Sequence, residues 1–458
     1  MTWSRTPSRP DAGIKVTGAA RYTEDIRHED LLFAAAVRSP LAAARIIRVG
    51  VDAARAADGV HAVLTADDLP DRRWGTLIQD QPIPARDAVR FAGEPIALIA
   101  AETAAAARAA AARVELELEP TEPVVGIAAA FKDGAPEVIP GRPNVGPVAR
   151  VRRGDVDAAF RDATHVVRTR IESGRVYQGY IEPRATLAEP EPDGGIIVTT
   201  TSEAPFVVRA GLAALLDLPM SKVVVKVPVL GGGFGGKLHL GLAPLAAVLC
   251  QATGRPVRIV ATREEDMHAC NPRQNSVVAL ESAVDADGTI LARRSRVWLD
   301  SGAYAFDTPA IASLATLLAT GPYRAPALDL QTWPVYRRTP ARPVRHALRP
   351  ARRWCTPTRR TSPTSPTRSA SMPSRFAAAT FARGRSRAIR RATQRCRHRG
   401  LRGRGHRPHR AMATGERGHV AETRVRDRLR LVDDDGNALG RDRRDERGRH
   451  GHALDRRD

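Results

Sequence analysis

Residues 222–237 read KVVVKVPVLGGGFGGK, a β-branched run that closes on five glycines wrapped around Phe234. The alanine- and leucine-rich stretch from Leu240 to Thr253 follows and reads as a helix. Strand, glycine loop and helix together bring a backbone close to an anionic group. Glycines remove the Cβ atoms that would block approach, and a helix N-terminus offers open N–H donors. The expectation is a loop that holds something phosphorylated or oxyanionic.

Two familiar nucleotide loops fit poorly. Gly231, Gly233 and Gly236 satisfy G-x-G-x-x-G after a strand, the fingerprint of a dinucleotide site. Arg258 stands where the ribose-binding acid of such a site is expected. In a triphosphate loop a hydroxyl follows the lysine to ligate magnesium, but Leu238 follows Lys237. A glycine turn that merely packs a strand on a helix remains a third reading, and the dinucleotide reading would make the chain a nicotinamide-dependent dehydrogenase.

Charge divides the chain sharply. The net charge of +22 suggests a nucleic-acid or membrane-surface partner. Residues 1–336, however, hold 37 Lys and Arg against 39 Asp and Glu, a net of −2. Residues 337–458 hold 35 against 11, a net of +24, without one lysine. This arginine-rich tail has no helical or strand periodicity and too few large apolar residues to offset the entropy of ordering it. It reads as a largely disordered tail, as a nucleic-acid arm, or as a GC-rich gene translated out of frame. The arm lacks aromatic interleaving and zinc-ligand spacing, so nucleic acid is not the expected partner. Codons for Ala370 to Thr380, restarted at their third bases, permit IDAVAFRRRNF, and on the out-of-frame reading the frame is expected to change between Tyr336 and Trp354.

The residues before the tail suffice for two domains. Ile96 to Ala101 reads as an apolar strand, Thr103 to Arg113 as a helix and Val114 to Leu118 as an alternating strand. A Pro- and Gly-containing connector runs to about Pro147. Asp287-Gly288 separates two alternating runs and predicts a hairpin. The four cysteines, Cys250, Cys270, Cys355 and Cys396, form no C-x-x-C pair, so an iron–sulfur cluster is not expected on this chain. Cys250 lies on the apolar helix and reads as core. No signal peptide or bilayer-length apolar run is visible, and the expected location is cytoplasmic.

GGGFGGK followed by TGRPVRIVATREEDM (Thr253 to Met267) closely resembles the molybdenum-binding large subunit of the xanthine dehydrogenase, aldehyde oxidase and carbon monoxide dehydrogenase family. DAGIKVTGAARYTEDI (Asp11 to Ile26), VRSPLAAARI (Val37 to Ile46), GVHAVLTADDLP (Gly59 to Pro70) and VRFAGEPIALIAAET (Val89 to Thr103) are similar to earlier blocks of that family. GDVDAAF, IEPRA, DADGTI and DSGAYA continue the match in order, to about residue 336. The shifted-frame peptide is similar to a D-P-V-x-F-R-R-x-N-like stretch further along.

The resemblance implies an α+β chain. An α/β hammerhead domain is expected over 10–125, a linker over 126–150, and a partial first molybdopterin-binding domain over 151–336. It implies a molybdenum–molybdopterin cofactor, which bacterial members often carry in the cytosine dinucleotide form. FAD and [2Fe–2S] clusters are expected only on partners, a medium and a small subunit. The implied reaction hydroxylates an aldehyde or N-heterocycle with oxygen from water. The family's glutamate base lies beyond this chain, and no residue here takes that role.

The resemblance carries cofactor contact onto Gly232, Gly233, Phe234, Gly235 and Gly236, with Phe234 alternatively a buried packing residue. Glu203 falls where the family normally has a glutamine that hydrogen-bonds a molybdenum oxo group, and a carboxylate lacks that donor. Leu238 replaces a glutamate of purine oxidisers, which points away from xanthine. Glu182 and Arg184 either carry a family motif or form a buried ion pair with each other. Glu264, Glu265 and Asp266 read as a helix start or solvated face, and Asp300, Ser301 and Tyr304 are given no chemistry.

Overall fold

A computed structural model describes residues 9–269 and 271–337; the arginine-rich tail, with Cys355 and Cys396 and the frame change expected there, and Cys270 lie outside the described residues. Secondary structure is mixed, as an α+β chain requires. Its largest element is a seven-stranded sheet, in the order Val223–Lys226, Ile196–Thr200, Ala185–Pro190, Val257–Val260, Leu32–Arg38, Pro95–Ala101, Val60–Leu64. Leu32–Arg38 runs parallel to Val257–Val260, with Leu32 opposite Val257 and Ala34 opposite Ile259. Strands from residues 32–101 and strands from residues 185–260 therefore share one sheet.

The strand Pro95–Ala101 is buried from Ile96 through Ala101. A continuous apolar run of this kind is what a strand covered on both faces needs. One cover is the helix Ala104–Ala111, begun by Thr103, whose hydroxyl accepts the Ala106 N–H at 3.0 Å. Ala107 and Ala110 pack from it onto Val37, Val63, Ala97 and Ile99. The strand after this helix, Glu115–Pro120, leaves the large sheet and joins Ala44–Gly50 and Ala88–Val89 in a three-stranded one. Its alternation explains the departure. Leu116 and Leu118 turn toward Ala44, Val89 and Ile96, while the glutamates face out.

The predicted hairpin forms as Ser276–Val284 against Ile290–Gly302, with Gly288 at φ +88° in the turn. These strands belong to a five-stranded sheet that also holds His165–Ser173, Ala327–Tyr336 and Ala149–Arg153. The helix Thr308–Leu318 covers it, and the Thr316 hydroxyl donates to Thr332 at 2.7 Å.

The helix after the glycine loop starts at Ala243 rather than Leu240 and ends at Gly254, which takes the left-handed cap at φ 63°. It is apolar all round, and every residue from Ala243 to Cys250 is buried. Burial pushes the Cys250 thiol up to about 12. Native protein at pH 8 should leave Cys250 unalkylated by iodoacetamide, and denaturation should release it; modification of the folded chain at Cys250, read by peptide mass spectrometry, would contradict its burial.

A second buried group joins distant segments. Glu94 accepts the Arg90 N–H at 2.6 Å and the Tyr304 hydroxyl, and both Glu94 and Tyr304 are almost fully buried. Desolvation holds the Glu94 carboxyl above its ordinary range. The folded state then binds this proton more tightly than the unfolded chain, so its contribution is complete below the unfolded carboxylate value of about 4.3 and declines as pH rises through the higher folded value. Glu94→Gln should flatten that decline in urea midpoints measured across the window. An unchanged slope would show that Glu94 does not titrate there. Among the described residues no helix is long and apolar enough to cross a membrane.

Candidate functional site

The loop departs from a simple strand–loop–helix. The strand Val223–Lys226 ends before the first glycine, and the helix starts only at Ala243, with Pro244 in its first turn. The strands that flank them are not neighbours, because Ile196–Thr200 and Ala185–Pro190 stand between. This is not the adjacent βαβ unit of a dinucleotide fold. Open donors at this loop come from its own amides and not from a helix end.

Conformation and packing both demand the glycines. Gly232 and Gly235 sit at φ +94° and +84°, and Phe234 between them is itself at +52°. A Cβ on Gly231 would stand 2.3 Å from Glu182 Cβ, and one on Gly233 2.4 Å from Glu203 Cδ. On Gly236 it would reach Tyr180 Cε1 at 2.8 Å. Two segments of this chain, residues 178–182 and Glu203, thus press on the loop. Phe234 itself is 54% exposed, which rules out the buried-packing reading of that ring.

The amides divide into two sets. Glu203 accepts the Gly235 N–H on both carboxylate oxygens, at 3.0 and 2.9 Å, and the Lys237 N–H at 3.1 Å. The Glu203 N–H in turn donates to the Lys237 carbonyl at 2.8 Å. Gly231 N–H donates to Glu182 at 2.7 Å. The amides of Gly232, Gly233 and Phe234 have no partner among the described residues. Three successive N–H groups without an internal acceptor on a glycine-rich turn are donors of the kind an anion takes up.

Beneath the loop lies a buried charged layer. Lys237 is fully buried, its ammonium 2.9 Å from Glu182 Oε2, 2.8 Å from the Glu182 carbonyl and 4.6 Å above the Tyr180 ring. Burial draws the Lys237 pKa down while Glu182 opposes the shift. Arg184 donates to the Gly236 carbonyl and lies 3.4 Å from Asp266. Glu182 and Arg184 therefore do not pair with each other: each serves a different partner under the loop. Asp266 is fully buried, not solvated, and accepts the hydroxyls of Tyr177 at 2.8 Å and Tyr180 at 2.9 Å. Its neighbour Glu265 closes a capping box with Thr262 on the helix Arg263–His268 and pairs with Arg38.

Tyr177, Gln178, Tyr180 and Asp266 carried no distinguishing local signal in the sequence. Gln178 donates to the Asn271 carbonyl at 2.9 Å and presses its side chain against Gly236. Asp300 and Tyr304 turn out to be structural: Asp300 holds Arg337, and Tyr304 holds Glu94. Leu238 is half-buried beside Lys237. His239, buried next to it, meets Thr76 at 3.2 Å and Asp307 at 3.8 Å. Among the described residues no cluster of His, Cys, Asp or Glu is arranged to hold a metal ion directly.

Residues 140–353 match the molybdopterin cofactor-binding domain, and residues 17–122 match the α/β hammerhead domain of aldehyde oxidase and xanthine dehydrogenase. The chain is 34% identical over 331 residues to the nicotinate dehydrogenase large molybdopterin subunit of Eubacterium barkeri, covering 72% of this chain and 78% of that one. It is also 34% identical over 344 residues to the nicotine 6-hydroxylase large subunit of Paenarthrobacter nicotinovorans, covering 71% of this chain but only 42% of the relative. Among solved structures, the aldehyde oxidoreductase of Desulfovibrio gigas superposes with a TM-score of 0.69 at 29% identity, over 72% of this chain and 38% of that one. Quinoline 2-oxidoreductase of Pseudomonas putida 86 gives 0.68 at 29%, over 74% and 44%. Several relatives thus extend to more than twice the matched length. With collinear hammerhead and cofactor-domain matches on one shared sheet, the chain belongs to the xanthine dehydrogenase and aldehyde oxidase family of molybdenum-binding large subunits.

Proposed function

We propose that this chain supplies the glycine-loop face of a molybdenum hydroxylase that oxidises an aldehyde or an N-heterocycle. The observation that carries the reading is the open triplet of amides at Gly232, Gly233 and Phe234 above a buried charged layer. That donor set fits a group bearing oxo or phosphate oxygens. Gly232, Gly233 and Phe234 would hold it through N–H groups, Gly235 and Gly236 would shape the turn, and Lys237 and Arg184 would keep the loop from collapsing. When bound, molybdenum–molybdopterin supplies the redox chemistry. In balance, a substrate carbon gains oxygen from water and two protons and two electrons leave.

Relatives named for nicotinate, nicotine and quinoline support the N-heterocycle side of the choice. Leu238 agrees, since it offers no charge to a purine. The cytosine dinucleotide form, an FAD-binding medium subunit and a [2Fe–2S] small subunit belong to the same proposal, as does a cytoplasmic location. The matched residues end at 353, inside the interval where the frame change is expected. Resequencing from the codon for Thr332 onward tests that frame.

The decisive measurement is metal and pterin content of the purified protein, made in a host that synthesises the cofactor. The frame as written and any restored frame should both be examined. Molybdenum with an oxidised-pterin fluorescence in the restored protein is expected. Bound nicotinamide nucleotide instead, or neither metal nor pterin, would overturn the reading.

A further inference from the structure

The loop already holds an anion, and it is the chain's own. Glu203 receives three amide hydrogen bonds from Gly235 and Lys237 and returns one through its own N–H. The missing Cβ of Gly233 is what lets the carboxylate lie this close, because a methyl there would meet Glu203 Cδ at 2.4 Å. No cation pairs with Glu203 among the described residues; backbone amides alone neutralise it. Nearby positive charge is committed elsewhere, Lys237 to Glu182 and Arg184 to Asp266.

A carboxylate bound to two amides of a glycine turn is arranged as an external oxyanion would be. It also lays its negative charge against Gly233, in the middle of the open amides. We infer that Glu203 is an internal latch: its carboxylate occupies the Gly235 and Lys237 amides, and an incoming oxyanion must displace it to use the whole turn. The inference rests on the loop being an anion receptor, not on which anion it serves. A glutamine at this position would keep one accepting oxygen but carry no charge. Occupancy of the loop is thus set by the difference between these two side chains.

Orthophosphate alone serves as the probe, on the full chain without cofactor. Hydrogen exchange of peptides spanning residues 231–238 is followed by mass spectrometry, together with calorimetric phosphate binding, in the wild type, Glu203→Ala and Glu203→Gln. Without phosphate, the segment should exchange faster in Glu203→Ala than in the wild type. With phosphate, the variant should regain protection and bind at least about tenfold tighter, equivalent to about 1.4 kcal/mol. Glu203→Gln should fall between them, and its thermal midpoint checks that the fold survives.

Equal exchange in wild type and Glu203→Ala would remove the latch. Faster exchange that phosphate does not reverse would make Glu203 a structural brace only, and likewise sink the proposal. Failure of the cofactor reading looks different: a restored protein without molybdenum or pterin leaves the phosphate response of Glu203→Ala intact.

Discussion

Asp266→Ala is expected to lower the unfolding free energy by about 3–5 kcal/mol, the cost typical of removing one member of a buried ion pair. Asp266 is fully buried and is reached from four directions, by Tyr177, Tyr180, Arg184 and Arg263. Alanine would leave the Arg184 guanidinium, whose side chain is 3% exposed, without its counter-ion and two tyrosine hydroxyls without an acceptor. Arg184 would keep its contacts to the Gly236 carbonyl and the Tyr180 hydroxyl but lose the carboxylate. Asp266→Asn separates charge from shape, since the amide oxygen still accepts one hydroxyl. Its cost should fall clearly below that of alanine. Urea midpoints for both variants make the comparison, and a loss under about 1 kcal/mol for Asp266→Ala would show that the layer beneath the loop is not held by this carboxylate. The local consequence is as important as the global one. Because Arg184 ties Asp266 to the Gly236 carbonyl, the segment Gly231–Leu238 should become more protease-sensitive in Asp266→Ala even at denaturant concentrations far below the midpoint.

Where residues interact with close neighbours in the chain, the sequence was a sufficient guide. Alternation on either side of Asp287-Gly288 specifies the hairpin because side chains in a strand repeat every two residues. Cys250 is readable as core because it lies on a helix that is apolar all round. Ordered family blocks identified the hammerhead and the cofactor domain together. Partner choice was not readable. Glu182 and Arg184 are two residues apart and of opposite charge, yet Glu182 turns to Lys237 and Arg184 to Asp266, partners 55 and 82 residues away in the chain. Asp266 in the acidic run 264–266 has the composition of a solvated helix start, and only its position under Tyr177 and Tyr180 buries it. The pairing of Leu32–Arg38 with Val257–Val260 spans more than 200 residues and leaves no local trace. The end of the strand at Lys226 does have a local sign, since Pro228 follows and can donate no ladder hydrogen bond.

Lys237→Met should be as damaging as Asp266→Ala, and for a reason that a compensating change can expose. Methionine matches the length and volume of the lysine stem, so packing against Tyr180 survives and the loss is electrostatic. Lys237 is the cation 2.9 Å from Glu182, whose side chain is only 12% exposed. Removing it leaves a largely buried carboxylate held by the Gly231 amide alone, at a cost of about 3–5 kcal/mol. Glu182→Gln in the same chain removes the stranded charge while its amide oxygen still accepts the Gly231 N–H. The double variant should therefore recover part of the loss, with a coupling energy of about 0.5–3 kcal/mol in a double-mutant cycle. Additive losses would mean that the ammonium acts mainly through the Glu182 carbonyl, 2.8 Å away, and not through the carboxylate. A Lys237→Met variant that unfolds at the wild-type midpoint would go further and remove the pair from the list of what supports the loop. Since the same lysine's backbone N–H is one of those that Glu203 occupies, the variant also separates the two ends of the residue. The side chain braces the turn from below, and hydrogen exchange at residues 231–238 should quicken in Lys237→Met although the contact between Glu203 and the Lys237 amide is chemically untouched.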